Sequence, residues 1–362
     1  MHIAFVIAAL GAGGAERVIA QLGSAWGDSG HRVTVISFDS AVAPAYHDFG
    51  PHVRLLRLDV AGRGGRLWLR RVAALRATLR TERPAVAISF LTKINVVALL
   101  AATGLDIPVI VSERNNPRLQ AASRWWTLLL DRLYPRADGI VIQTAASREC
   151  LPPTVADRAV VIANPVTPVA VDRGAAARVT PRMRILAAVG RLDRQKGFDL
   201  LLPAFAGVAD RHPDWRLRIW GEGPERAALA RQAASLGIAD RVDFAGLSAP
   251  LAWIAEADAF VLSSRHEGWP NALAEALSAG LPVVAFDCRY GPRATIEPEV
   301  TGLLVADGDV AALGRAMSRL MSDAGLRAAL GTAARASMAA RDPGQVIAQW
   351  DALVSAVTRA AA

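Results

Sequence analysis

A succession of short Val/Ile-rich runs, each followed by a helical pattern or a loop, constrains this chain more than any other feature. "HIAFVIA" comes first, and a helix is predicted after it from about Glu16 to Asp28. "RVTVISF", "VAISF", "PVIVSE" and "GIVIQT" follow. Runs this short, apolar at successive positions, suit strands covered on both faces, as in parallel sheets flanked by helices. The pattern breaks in "VIANPVTPVAVDRGAAARVTP", where prolines, a glycine and the loss of apolar period mark a linker. It resumes with "RILAAVG", "WRLRIWG", "RVDFAG", "AFVLSS", "LPVVAF" and "GLLVA". The predicted architecture is α/β, with two Rossmann-like doubly wound domains, 1–165 and 183–340, joined by a linker at 166–182 and facing a central cleft. The last segment, 341–362, is expected as a helix that packs back on the first domain. In such sheets ligands bind at the carboxyl ends of the strands.

A chain of 362 residues is long enough for two such cores. Two cysteines, Cys150 and Cys288, exclude a disulfide framework and suit a reducing cytoplasm. The net charge of +8 suits an anionic partner, either a phosphorylated small molecule or an acidic membrane surface. Zinc-ligand spacing, a helix-turn-helix signature and an aromatic-basic RNA motif are all missing, so no nucleic-acid partner is expected. The opening "MHIAFVIAALGAGGAER" reads as a buried strand, because no Lys or Arg precedes its apolar run and a glycine turn follows at once. No stretch reaches the ~18 uncharged apolar residues that span a bilayer.

The second half opens on "AVGRLDRQKGFDLL". A strand is predicted to end at Val189, leaving Arg191 and Lys196 in a loop ahead of a helix that starts near Gly197. Cations at a helix head form a pyrophosphate clamp, since side-chain charge and helix N-terminus act in the same direction. A solvated basic loop is the plainer reading of the same residues.

After "AFVLSS" comes "RHEGWPNALAEALSAG". Pro270 and Asn271 suit a helix start, Leu273, Ala276 and Leu277 an apolar face, and Gly280-Leu281-Pro282 a stop. The turn at Gly268 and the N–H groups of Asn271, Ala272 and Leu273 suit phosphate oxygens. Glu275 lies one turn deeper, about 6 Å along the axis, the step from a nucleotide's phosphates to its ribose. Its carboxylate can accept from both hydroxyls of a diol. Glu267, ahead of the helix, would face the other end of a diphosphate, where a transferred sugar lies. Singly, each acid also reads as a helix-dipole acid or an exposed loop acid. Set on one strand, turn and helix start, the two read as a site.

These stretches resemble a known family. "EGWPNALAEA" is similar to the Glu-x7-Glu motif of family 4 glycosyltransferases, which have the two-domain GT-B fold. "VGRLDRQKG" resembles that family's basic phosphate loop, "ALGAGGAERVI" its first-strand Gly-Gly loop, and "FDCRYGPRATI" the segment after a later strand. The likeness covers nearly the whole chain, with the motifs in family order. It implies a retaining transferase that uses a nucleotide-diphospho-sugar with no bound metal or cofactor. Glu275 would hold the ribose, Glu267 the donor sugar, and Arg191 and Lys196 the diphosphate. Gly13 and Gly14 would let backbone approach the donor phosphates. Where many relatives carry a histidine, this chain has "ERNNP", which implies acceptor contacts from Glu113, Arg114 and Asn115. His266 stands where relatives often have an aromatic, and reads as packing.

The expected reaction moves a hexose or N-acetylhexosamine from a UDP-sugar, with a GDP-sugar second, to a saccharide acceptor. That acceptor is expected to be lipid-linked, and the setting cell-surface glycan assembly at the cytoplasmic face of a membrane. Two segments could meet anionic lipid. "GRGGRLWLRRVAALRATLR" supplies Arg66, Arg70, Arg71, Arg76 and Arg80 beside a leucine stripe. "SRWWTLLLDRLYPR" sets Trp125 and Trp126 beside basic residues, and is expected to turn its apolar stripe toward the sheet. Two alternatives stand beside the transferase: a non-catalytic nucleotide-sugar-binding subunit, and an NAD(P)-dependent oxidoreductase. Against the latter, "GAGGAER" lacks the full Gly-x-Gly-x-x-Gly spacing.

Overall fold

A computed structural model describes the chain except for residues 61–66, 121–122, 168–182, 340 and 362 and the side chains at 119, 120, 339 and 361. Most of the expected linker, and Arg66, therefore lie outside the described residues. The chain forms two compact units, Met1–Pro165 with Gly344–Ala362, and Val166–Pro343.

The first unit carries strands β1 (His2–Ile7), β2 (Arg32–Ser37), β3 (Val53–Arg57), β4 (Val86–Phe90), β5 (Val109–Ser112), β6 (Gly139–Ile142) and β7 (Val160–Val161). They lie in the order β3-β2-β1-β4-β5-β6-β7, and every pairing is parallel. Helices α1 (Gly14–Asp28), α2 (Leu67–Glu82), α3 (Thr92–Ala102), α4 (Pro117–Gln120) and α5 (Arg124–Leu133) occupy the crossovers. β1, β4, β5 and β6 are buried along most of their length, as their unbroken apolar runs require. The edge strand β3 has no such run, because half of its "VRLLR" faces water.

The second unit repeats the plan with β8 (Arg184–Val189), β9 (Trp215–Trp220), β10 (Val242–Gly246), β11 (Ala259–Leu262), β12 (Val283–Phe286) and β13 (Leu303–Val305). Their order is β10-β9-β8-β11-β12-β13, again all parallel. Helices α6 (Phe198–Ala209), α7 (Arg226–Ser235), α8 (Asn271–Ser278), α9 (Val310–Ser322) and α10 (Ala324–Ala339) complete it. Leu201, Phe205, Trp215, Met317 and Leu320, all fully buried, belong to one apolar core. The strand order reverses between β8 and β11, so the chain leaves those two carboxyl ends in opposite directions and opens a crevice there.

The last helix, α11 (Pro343–Ala361), packs in the first unit. Val346, Trp350, Val354 and Val357 make one buried stripe at helical spacing. Trp350 stacks on Phe90 with 6.0 Å between ring centroids, and Trp26 donates from Nε1 to Asp351 at 2.6 Å.

Candidate active site

Two loops of the second unit meet at the β8/β11 reversal. The first leaves β8 and makes a single 3-10 turn over Arg194–Lys196, where the Asp193 carboxylate accepts from the Lys196 backbone N–H. Gly197 then adopts φ 65°, and a Cβ there would lie 2.0 Å from the Ser263 carbonyl oxygen. Only a residue without a side chain lets the two loops approach this closely. Crossed hydrogen bonds join them: Arg265 N–H donates to Gln195 O at 2.8 Å, Gln195 Nε2 to His266 O at 3.0 Å, and Ser263 Oγ to Lys196 O at 2.9 Å. Arg265 also grips Asp199 through two bonds of 2.7 and 2.6 Å.

That stitching brings Lys196 Nζ to 2.7 Å from Glu267 Oε1, and Ser264 Oγ donates to the same oxygen at 2.6 Å. Arg191, expected beside Lys196 as a second diphosphate cation, instead points outward. Its side chain is 69% exposed and pairs with Asp193 at 2.5 Å. Lys196 is therefore the cation built into the crevice. Ser264 escaped the sequence reading, although a second hydroxyl at the end of "AFVLSS" was its signal. Around the pair, burial lowers the His266 pKa from its usual value. Burial, reinforced by the negative charges of Glu267 and Asp307, raises the Cys288 thiol far above its usual range.

α8 starts one residue earlier than a capping Asn271 requires. Pro270 stands at the cap and supplies no side-chain bond, while Asn271 is the first helical residue. The first intrahelical bond runs from Ala274 N–H to Pro270 O at 3.1 Å, so the amides of Asn271, Ala272 and Leu273 precede the ladder. Leu281 N–H to Ala276 O and Gly280 N–H to Leu277 O, both 2.9 Å, close the other end as a Schellman motif. Gly268 is buried in the turn ahead of α8, and Glu275 is 7% exposed one turn into it.

The first unit's candidates fall differently. Gly13 caps α1 without a side-chain bond, and Gly14 begins the helix. A Cβ on Gly13 would lie 2.1 Å from Glu16 Oε2, so the Glu16 carboxylate already covers the helix head expected to receive donor phosphate. Glu113 and Arg114, expected at an acceptor surface, are buried in the interior instead. The Glu113 carboxylate accepts from Tyr134 Oη, from Thr92 Oγ1 at 2.7 Å and from Asn95 Nδ2 at 3.2 Å. Burial raises its pKa despite those bonds. Arg114 lies over Phe90, 4.2 Å from the ring centroid, and donates to Asn164 Oδ1 at 2.6 Å. Asn115 alone of the three is half-buried at the surface.

The basic segment on α2 is also redistributed. Leu75 and Leu79 face the core. Arg71 donates to Val60 O at 3.2 Å, and Arg76 donates to Ala101 O and Thr103 O at 2.8 and 2.6 Å. Those two arginines serve the unit itself, while Arg70 and Arg80 stay exposed. α5 departs further from expectation: Leu130 and Leu133 are buried, yet Trp125 is 76% and Leu128 49% exposed. Among the described residues no helix is long and apolar enough to cross a membrane.

Two family models match in tandem, the glycosyl transferase 4-like domain over 13–167 and the glycosyl transferases group 1 family over 177–337. The chain belongs to the glycosyltransferases. Among curated relatives it is 26% identical, over 99% of its own length and 100% of the other's, to a Campylobacter jejuni α-1,4-N-acetyl-D-galactosaminyltransferase. That enzyme's name specifies an undecaprenol-diphosphate-linked acceptor. The match to the first two curated relatives, each 32% identical, spans 23% and 40% of their lengths. Among solved structures, sucrose-phosphate synthase from Thermosynechococcus elongatus superposes with a TM-score of 0.86 at 22% identity, over 99% of both chains. HepE from Anabaena, in complex with UDP and glucose, does so at 0.80 and 20%, over 98% of this chain and 99% of that one. The fold of this glycosyltransferase is accordingly GT-B, and the oxidoreductase alternative falls away.

Proposed function

We propose that this glycosyltransferase moves a hexose or N-acetylhexosamine from a nucleotide-diphospho-sugar to a saccharide acceptor with retention of anomeric configuration. The donor is a UDP-sugar ahead of a GDP-sugar, and the acceptor is lipid-linked, in cell-surface glycan assembly at the cytoplasmic face of a membrane. The observation that carries the reading is the Lys196–Glu267 pair, seated at the β8/β11 reversal beside the first turn of α8. The UDP and glucose bound to HepE support the donor class, and the undecaprenol-linked acceptor of the Campylobacter enzyme supports the acceptor class.

In this reading Lys196 and the first amides of α8 receive the diphosphate, Glu275 accepts from the ribose hydroxyls, and Glu267 accepts from the sugar. As the bond from the anomeric carbon to the phosphate oxygen breaks, negative charge gathers on the departing diphosphate. A fixed cation and fixed amides stabilise that charge without reorganising. The acceptor oxygen bonds on the face the diphosphate leaves, and its proton passes to the departing phosphate. No resident metal takes part, so a chelator leaves turnover unchanged. Arg191 has a lesser role than Lys196, because its charge is spent on Asp193 at the surface.

Thermal unfolding with UDP, GDP, ADP and NAD tests the reading. A nucleotide at 100 times its dissociation constant adds about 2.7 kcal/mol of stability. UDP should raise the midpoint by several degrees and NAD should not. Glu275→Ala should weaken UDP binding by one to two orders of magnitude, the worth of about 1.5–3 kcal/mol for hydrogen bonds to a charged group. The protein alone should turn over a UDP-sugar, which a non-catalytic subunit would not do. A protein indifferent to every nucleoside diphosphate, or a Glu275→Ala variant with unchanged affinity, refutes the reading.

A further inference from the structure

The loop that leaves β12 packs against Glu267, although no step described so far uses it. A Cβ built on Gly291 would lie 2.7 Å from Glu267 Cβ and 3.2 Å from Pro270 Cδ. Side chains do not pack carbon to carbon at 2.7 Å, so any residue other than glycine must push Glu267, or the loop itself, out of place. Pro270 is the residue from which α8 starts, so the same contact bears on the first turn of that helix.

The loop has little freedom to give way. Its preceding residue, Tyr290, holds φ 80°, a conformation that a bulky side chain disfavours and that persists only where its surroundings impose it. Arg293 Nε donates to Asp287 Oδ1 at 3.1 Å and ties the two ends together. Pro292 O accepts from Thr295 N–H and Ile296 N–H at 2.9 and 2.8 Å. Cys288 and Ile296, each 2% exposed, anchor the loop in the interior. Strained backbone of this kind collects at functional sites, where it fixes geometry that the chemistry needs.

We propose that Gly291 is a positioning residue for Glu267. Its bare backbone sets the carboxylate where it meets Lys196 and Ser264 and, on the glycosyltransferase reading above, where it meets the donor sugar. The missing side chain is the functional feature. Tyr290 supplies the left-handed turn that brings Gly291 up to Glu267, and the Asp287–Arg293 pair holds that turn closed.

Gly291→Ala tests this against Gly237→Ala, a glycine at φ 70° with nothing within 4 Å of its would-be Cβ. Gly291 itself sits at φ −112°, so its substitution adds the contact without left-handed strain, while the control adds such strain without the contact. Gly291→Ala should lower sugar transfer by about 30- to 100-fold, in line with the cost of an ångström-scale misplacement. UDP affinity should fall far less than transfer, because the clash is hardest on Glu267 at 2.7 Å and milder on Pro270 at 3.2 Å, while Glu275 still holds the ribose. In the crystal structure of the variant, Glu267 should have left hydrogen-bond reach of Lys196. Transfer no lower than in Gly237→Ala, parallel loss of UDP affinity and transfer, or an undisplaced Glu267 overturns the proposal. If wild type binds no nucleotide, the donor reading fails and the variant's Glu267 position still decides the positioning role.

Discussion

Lys196 Nζ lies 2.7 Å from Glu267 Oε1 across 71 residues of chain, with the two side chains 22% and 6% exposed. A carboxylate this deep has lost most of its hydration. It is tolerable because Lys196 and Ser264 replace that water. The pair therefore couples the β8 loop to the β11 loop, and each partner fixes the other.

Removing one partner should cost more than removing both. Lys196→Met strands a buried charge, a change worth about 2–3 kcal/mol, below the fully buried case because Lys196 still touches water. Lys196→Met combined with Glu267→Gln should regain most of that loss, since neither a bare charge nor an unpaired cation remains. Urea unfolding of the four proteins gives the coupling energy. Simple additivity of the two single losses would show that the pair does not act as a unit.

Much of this was legible in the sequence, for identifiable reasons. Strands buried on both faces announce themselves as short apolar runs, so β1, β2, β4, β5, β6, β8, β11 and β12 stood out; β9, β10 and β13 were legible from their place in the same alternation, while half-exposed β3 was not. Lys196 and Glu267 were legible because they flank turns at strand ends, where charged residues have no packing reason to be, and Glu275 because it is a carboxylate one turn into the helix that follows. Arg191 and Lys196 looked equivalent, since spacing cannot say that Asp193 would draw one outward. Glu113 and Arg114 misled for a related reason. The run "ERNNP" reads as a polar loop, and only Tyr134, Thr92, Asn95 and Phe90, brought from other elements, make an interior place for its first two residues. Gly291 had no sequence signal of its own, because its role is to leave space for a residue that tertiary folding brings to it.

The buried Glu113 network predicts a structural phenotype with no acceptor phenotype. Tyr134→Phe deletes one donor to a carboxylate that water does not reach, at about 1–3 kcal/mol. The midpoint of unfolding should fall by several degrees while the KM for acceptor stays near wild type. A raised acceptor KM at unchanged stability would return Glu113 to the acceptor surface.

Acid should destabilise the protein through its histidines. Burial lowers the pKa of His2, His47, His212 and His266 below the usual 6.5. Between those lowered values and 6.5 the unfolded chain binds more protons than the native one, so stability rises with pH across that range. The contribution is present above pH 6.5 and is lost as pH falls through the native values. Glu113 acts with the opposite sign, because its raised pKa lets the native state keep a proton above 4.5. A single variant separates the two. His212→Gln can still bond Ser318 Oγ, which His212 Nε2 meets at 2.8 Å, and should flatten the acid slope of the unfolding midpoint. An unchanged slope excludes His212 as a contributor.

Membrane contact should depend on α5 more than on the arginines of α2. Helices that connect parallel strands run against them, so α2, α3 and α5 all begin at the carboxyl edge of the first sheet. At that edge Trp68 and Leu69 on α2 are 38% and 51% exposed, and Trp125 and Leu128 on α5 are 76% and 49% exposed. Lys93, near the start of α3, sits 5.6 Å from the Trp126 ring centroid. Exposed Trp and Leu beside Lys and Arg suit the interface of an anionic bilayer, where the ring enters the headgroup layer and the cations meet phosphate. Arg71 and Arg76 are held by backbone carbonyls of their own unit and have less to offer a lipid. Co-sedimentation with vesicles of phosphatidylglycerol and phosphatidylcholine should therefore fall at least several-fold for Trp125→Ser combined with Leu128→Ser. Arg71→Gln should bind nearly as wild type. Binding untouched by the α5 pair and abolished by Arg70→Glu would move the contact to α2, and no binding by wild type at all would remove it.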